Sequence, residues 1–122
     1  VARCAVLVYE QFSPHDAFGK TMVRNLGAHG CALRTITRYP TLDAQRARYV
    51  DECAFARADV VDMNAVYARF IDAADRRRAE RLEIFDELEE WHLILAHYSL
   101  SLAVTADAAR AWPHLTLVGG ER

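Results

Sequence analysis

The sequence has no CxxC pair, no GxGxxG loop and no GxSxG elbow. These absences exclude a CxxC-type zinc site, a local dinucleotide-binding turn and an α/β-hydrolase nucleophile. Cysteine is scarce, and Cys4, Cys31 and Cys53 form an odd, widely spaced set. Such a set reads as free thiols and gives the expectation of a cytoplasmic protein. Long apolar runs are also lacking. The longest, 93–104, is broken by His97 and Ser99 and is too short for a bilayer, so no membrane partner is expected. No secretory leader pattern opens the chain. Neither sign of charge dominates, the formal net charge being −2, so a strongly basic nucleic-acid-binding domain is not expected. No low-complexity tract or internal repeat is visible.

What is present supports a core: 52% of the 122 residues are hydrophobic. Residues 5–9 (Ala, Val, Leu, Val, Tyr) form a continuous apolar run. It reads as a strand buried on both faces, as in a parallel sheet. Ser13 and Pro14 end it, and a helix is predicted over 16–29, with Phe18, Met22, Val23 and Leu26 on one stripe and Gly30 closing it. Further on, a short strand is expected at 31–36. Thr41 then caps a helix over 42–52, and a strand follows over 56–61. Asp62 caps a helix through Phe70. A polar helical segment over 75–81 and a longer helix over 85–97 come next, with Leu88, Trp91 and Leu95 as the core stripe of the latter. Strands at 98–104 and 115–118 close the pattern, and Gly119-Gly120 reads as a turn or linker. Alternation of this kind means α/β. The first strand wants a neighbour on each edge and the sequence supplies only one, so the sheet is expected to be incomplete. Together with an opening Val1 rather than Met, this gives the expectation of a fragment with strands missing before it.

Several motifs have bland explanations. Gly19-Lys20-Thr21 lacks the earlier glycine of a phosphate loop, because Pro14 stands there, and Gly19 falls inside a helix. Glu89, His92 and His97 do not make a metal set: the two histidines are five apart, about 140° around a helix. Asp86, Glu87, Glu89 and Glu90 near a helix start gain from its dipole, and salt bridges to Arg76, Arg77, Arg78 and Arg81 are expected. The sharper reading of those arginines is contact with a phosphate or carboxylate. Tyr9-Glu10-Gln11 sit at the carboxyl end of the first strand, where α/β sheets bind ligands; Asp16 is either a helix cap or a site residue.

The block Tyr9-Glu10-Gln11, Asp16, Phe18-Gly19, Met22 and Asn25-Leu26 resembles the YEQ…D.FG..M..NL block of the leucine carboxyl methyltransferase family. The resemblance continues at 42–49, at Val61-Asp62-Met63-Asn64, at 76–87 and at Glu89-Glu90-Trp91-His92 through Ala96-His97-Tyr98, covering roughly residues 5–104. It implies the C-terminal half of a class I (Rossmann-like) S-adenosylmethionine-dependent methyltransferase fold. Residues 5–11, 56–61 and 98–104 would be its fifth, sixth and seventh strands, the last two forming an antiparallel edge. The methyltransferase part would span 1–107, and 108–122 would be a tail or the start of a following region, such as kelch repeats. The resemblance also implies carboxyl methylation. Tyr9, Glu10, Gln11, Asp16 and Phe18 would face the substrate, and no residue here would hold the S-adenosylmethionine, whose site lies upstream. The chain alone is then expected to be inactive. Glu90-Trp91-His92-Leu93 and the arginine triplet look more like the wybutosine-synthesising branch, which acts on phenylalanine tRNA. The alternative substrate is the C-terminal leucine carboxylate of the protein phosphatase 2A catalytic subunit. A non-catalytic interaction module is the alternative from another class.

Overall fold

The computed structural model describes residues 2–118. In chain order its elements are β1 (Ala5–Gln11), α1 (Ala17–Ala28), α2 (Leu42–Ala47), a π-helical turn (Arg48–Glu52), β2 (Arg57–Asp62), α3 (Met63–Phe70), α4 (Ala73–Glu80), α5 (Leu88–Leu95), β3 (Tyr98–Val104) and α6 (Ala106–Ala111). Local chemistry sets most helix starts. Asp16, Thr41, Asp62, Asp72 and Thr105 each accept a hydrogen bond from a backbone N–H of the first turn. Short polar side chains do this at extended backbone positions, satisfying donors that the helix leaves free. No helix among the described residues is long and apolar enough to cross a membrane.

The three strands form one sheet in the order β1-β3-β2, with β3 antiparallel to both neighbours. β1 and β2 therefore run in the same direction, and their carboxyl ends lie at one edge with the start of β3. The register decides the two faces, because directly opposed residues point the same way. Ala58, Ala103 and Val8 face the helical side, where Tyr49, Val50 and Phe55 cover them. Leu102 and Val104 face the other side and pack against Ala108, Ala109 and Leu117. The central β3 is the most deeply covered strand, with Ser99, Ser101, Leu102, Ala103 and Val104 all buried.

The fold corrects several expectations. β1 is not buried on both faces in a parallel ladder. Among the described residues it pairs only with β3, antiparallel, and leaves Leu7 63% and Tyr9 57% exposed. Its apolar run reflects one covered face and one open one, since α6 reaches only the Leu102–Val104 end. Residues 31–36 form no strand; 31–33 are irregular, and turns over 34–38 bury Ile36. The helix expected over 42–52 is α2 followed by the π-helical turn, and the helix expected from Phe85 begins at Leu88 and ends at Leu95. Residues 115–118 are not a strand either. Thr116 Oγ1 and the Leu117 N–H donate to the buried Asp59 carboxylate at 2.8 and 3.1 Å, which fastens this segment to β2 as irregular chain. The sequence pattern had no place for α6, although Thr105 is an ordinary cap for it. Gly119 and Gly120 lie outside the described residues.

Candidate functional site

The loop after β1 is built around close backbone contact. Ser13 takes a left-handed conformation (φ 62°), and its N–H donates to the Pro40 carbonyl at 2.9 Å. α1 then starts so near this loop that a side chain on Gly19 would collide with the Ser13 carbonyl oxygen and lie 2.8 Å from Pro14 Cα. Only glycine fits there. The same crowding accounts for the GKT tripeptide without a phosphate. The glycine that would cradle an anion is filled by the chain's own backbone.

Tyr9 and Gln11 share one face of β1. The Tyr9 ring stacks on Tyr98 with centroids 5.1 Å apart, and the Gln11 amide donates to the Tyr98 hydroxyl at 3.4 Å. Desolvation and the neighbouring Tyr98 raise the Tyr9 phenol above its ordinary value, so it stays a neutral donor at physiological pH. Alternation along the strand sends Glu10 to the opposite face. There it forms an ion pair with Arg48, and its backbone carbonyl accepts from Ser99 Oγ at 3.2 Å. Arg48 lies over the rings of Tyr39 (4.8 Å) and Tyr49 (4.6 Å) and donates to the Tyr49 hydroxyl at 2.6 Å. Burial pulls its guanidinium down, but the hydrogen bond and charge of Glu10 outweigh this and leave it above its ordinary value. Arg48 begins the π-helical turn, a local insertion that recurs at functional sites. Asp16 and Phe18 gather around a third group, His97, which is 2% exposed. Both Asp16 carboxylate oxygens lie 2.8 Å from His97 Nε2, and the Phe18 ring sits 4.4 Å from the imidazole.

The five residues picked from the sequence thus fall into three groups. Tyr9 and Gln11 come together with Tyr98, Asp16 and Phe18 come together with His97, and Glu10 lies on the face of β1 opposite Tyr9 and Gln11, paired with Arg48. Asp16 turns out to be a cap and a histidine partner at once. Sequence reasoning missed Arg48 and gave no partner to Tyr98. Nothing local marks Arg48, whose place depends on packing across 38 residues. His92, which had been weighed as a metal ligand, is joined to Asn64. Its Nδ1 lies 2.8 Å from Asn64 Oδ1 while the Asn64 amide donates to the His92 carbonyl, pinning α5 to α3. The expected salt bridges from the arginine triplet to the acidic turn of α5 are absent among the described residues. Arg78 pairs with Asp75 of its own helix and Arg76 lies over the Tyr67 ring.

One consequence is directly measurable. Glu10→Ala leaves a largely buried guanidinium without its counter-charge. It should lower the unfolding free energy by about 2 kcal/mol, below the cost at a fully buried pair because part of Arg48 is solvated. Urea unfolding of the variant beside Arg48→Met checks this. If the arginine variant loses as much as or more than the glutamate variant, the stranded charge is not the cause.

An α/β domain with a polar edge of this kind is common to many activities, and comparison with known proteins narrows it. No protein-family model matches the chain. Over 97 residues, 80% of its length, the chain is 48% identical to the leucine carboxyl methyltransferase 1 homolog of Arabidopsis thaliana. Over 101 residues, 83% of its length, it is 42% identical to tRNA wybutosine-synthesizing protein 4 of Homo sapiens. Over 103 residues, 84% of its length, it is 37% identical to leucine carboxyl methyltransferase 1 of Aspergillus fumigatus. The chain is therefore a homologue of methyltransferases. Its relatives carry two names, leucine carboxyl methyltransferase 1 and tRNA wybutosine-synthesizing protein 4, at 37–48% identity over most of the chain. The chain spans 29%, 15% and 26% of the length of these three relatives.

Proposed function

We propose that this chain is the substrate-side part of an S-adenosylmethionine-dependent carboxyl methyltransferase, and that the cofactor is held by residues outside it. The identity to named methyltransferases over four-fifths of the chain carries the reading. The sheet agrees with it. A strand antiparallel to two mutually parallel neighbours is what the fifth, seventh and sixth strands of a class I methyltransferase would form. The described residues do not fit the cofactor themselves. Gly19 is closed by the chain's own backbone, and Gly27 and Gly30 stand in open space at the far end of α1, so no glycine-lined cradle follows a strand.

In this reading the chain's own task is to receive a carboxylate. A carboxylate is already ionised at neutral pH, so no general base is required. Tyr9, Gln11 and Tyr98 are neutral hydrogen-bonding groups at the carboxyl edge of the sheet, suited to orient such an oxygen without repelling it. Glu10 stays on the other face, neutralised by Arg48, and braces the strand. Catalysis would come from in-line placement and exclusion of water. In the whole protein, Tyr9→Ala or Gln11→Ala should lower methyl transfer by about tenfold or more, close to 1.4 kcal/mol of barrier, with little change in melting temperature. Unchanged activity with lowered stability would reject these residues as site groups.

The substrate reading favours wybutosine synthesis on phenylalanine tRNA, supported by the human relative's name and by Glu90-Trp91-His92-Leu93. Identity to leucine carboxyl methyltransferase 1 homologues supports the second reading, a protein carboxylate such as the C-terminal leucine of protein phosphatase 2A. Radiolabelled methyl transfer by the whole protein to phenylalanine tRNA carrying the wybutosine precursor, beside a peptide ending in leucine, separates the two. Labelling of the peptide alone would overturn the first reading. Labelling of neither would overturn both and leave an interaction module.

A further inference from the structure

The α4–α5 region carries a feature that the methyl-transfer reading does not use. Every residue from 77 to 90 is exposed, yet the stretch includes Leu82 (71%), Ile84 (94%), Phe85 and Leu88. Exposed apolar groups gathered in this way mark interaction sites. Leu82, Phe85 and Leu88 border a cavity of about 440 Å³ that Tyr67, Trp91 and Glu83 also line. The Trp91 ring meets Tyr67 at 4.7 Å and 89°, and Phe85 at 5.5 Å and 87°. Two rings thus stand perpendicular to the indole and give the cavity aromatic walls.

Charge decides what this cavity would take. Between positions 76 and 90 the chain carries Glu80, Glu83, Asp86, Glu87, Glu89 and Glu90 against Arg76, Arg77, Arg78 and Arg81. The charged residues that line the cavity itself are Glu80, which accepts from the Tyr67 hydroxyl, and Glu83. Phosphates would be repelled at this rim, and a purely apolar occupant would desolvate the two carboxylates without return. Aromatic faces instead attract cations, and a long cationic side chain brings an alkyl stem for the leucines and a charged head for the glutamates. The region already shows this preference, since the guanidinium of Arg76 lies 5.5 Å from the centre of the Tyr67 ring.

We propose that the cavity between Tyr67, Phe85 and Trp91 seats an arginine or lysine side chain of a basic partner polypeptide, its head directed to Glu80 and Glu83. The test is fluorescence anisotropy with the whole protein and three labelled peptides of leucine and glycine, carrying arginine, glutamine or glutamate at the same positions. The arginine peptide should bind saturably, more weakly as salt rises, and at least about fivefold more tightly than the glutamine peptide. Glu83→Gln, an exposed and conservative change, should weaken the arginine peptide by about fivefold, and Trp91→Leu by at least as much. Equal binding of the glutamine peptide would show apolar docking only and overturn the proposal. So would tighter binding of the glutamate peptide, an unaltered affinity in Glu83→Gln, or no saturable binding.

Discussion

Gly19→Ala should lower the unfolding free energy by about 3 kcal/mol, while Gly27→Ala, eight residues on in the same helix, should raise it by up to about 1 kcal/mol. A helical glycine ordinarily costs about 0.5–1 kcal/mol relative to alanine, so both changes would be favourable if helix propensity alone decided. Surroundings reverse the sign at Gly19. Its added Cβ would meet the Ser13 carbonyl and both Cα and C of Pro14, all of them backbone atoms. The loop cannot yield cheaply, because the Ser13 N–H is committed to Pro40 and Pro14 fixes its own φ and restricts Ser13 before it. A shift of α1 would in turn break the bond from the Gly19 N–H to Asp16 at 2.7 Å. Among the described residues nothing lies within 4 Å of a Cβ on Gly27. Urea midpoints of the two variants measure the contrast. A Gly19→Ala variant as stable as the parent would mean that the loop and α1 are not in close backbone contact.

Legibility in the sequence followed the range of the interactions. Helix starts at Asp16, Thr41 and Asp62 were legible because a cap is a contact between residues three apart. The strand at 98–104 was legible from its alternating small and apolar residues. What failed had a longer range. A run such as Val6-Leu7-Val8-Tyr9 cannot say whether its second face is covered, because that depends on which elements reach over it. The stretch at 31–40 is β-prone in composition, but the chain must reach Pro40 to hold Ser13, and that contact outweighs propensity. The irregular course of 115–118 follows from one buried carboxylate, Asp59, that collects its donors.

The candidate site divides along the same line. Family-like spacing put Tyr9, Gln11, Asp16 and Phe18 together, and the fold brings them to one edge as two adjoining clusters. Adjacent positions suggested that Glu10 belongs with Tyr9 and Gln11, yet the two-residue period of a strand puts it on the face opposite to theirs. Tyr98 and His97, the residues that complete the two clusters, stand more than eighty positions away, beyond the reach of any local pattern.

Asp16→Ala should cost about 3 kcal/mol, well above the roughly 1 kcal/mol of an ordinary cap such as Thr41→Ala. Asp16 accepts from the Gly19 N–H and also faces the buried His97, so one substitution removes two roles. The histidine geometry makes the second loss large. His97 Nδ1 lies 2.7 Å from the Leu93 carbonyl and Nε2 lies 2.8 Å from both Asp16 oxygens, so each ring nitrogen has one side of the site to bond to. Without that carboxylate a buried ring nitrogen has no partner, which costs about 1–3 kcal/mol. The charge attraction itself adds little, because the Asp16 side chain is 51% exposed and screened. The pH dependence has a definite sign. The backbone N–H of Gly19 first, and the His97 bond second, hold the Asp16 carboxyl below its ordinary value. A depressed folded value means that the stabilisation is complete above the ordinary aspartate range and is lost as pH falls through the folded value, below about pH 4. Asp16→Asn keeps an oxygen to cap α1 but cannot ionise, so its stability should fall less steeply on acidification than that of the parent. Urea unfolding from pH 7 to pH 3 compares the variants. An unchanged acid limb in Asp16→Asn, or an Asp16→Ala loss no larger than that of Thr41→Ala, would show that the carboxylate acts as a cap alone and that His97 holds the loop without it.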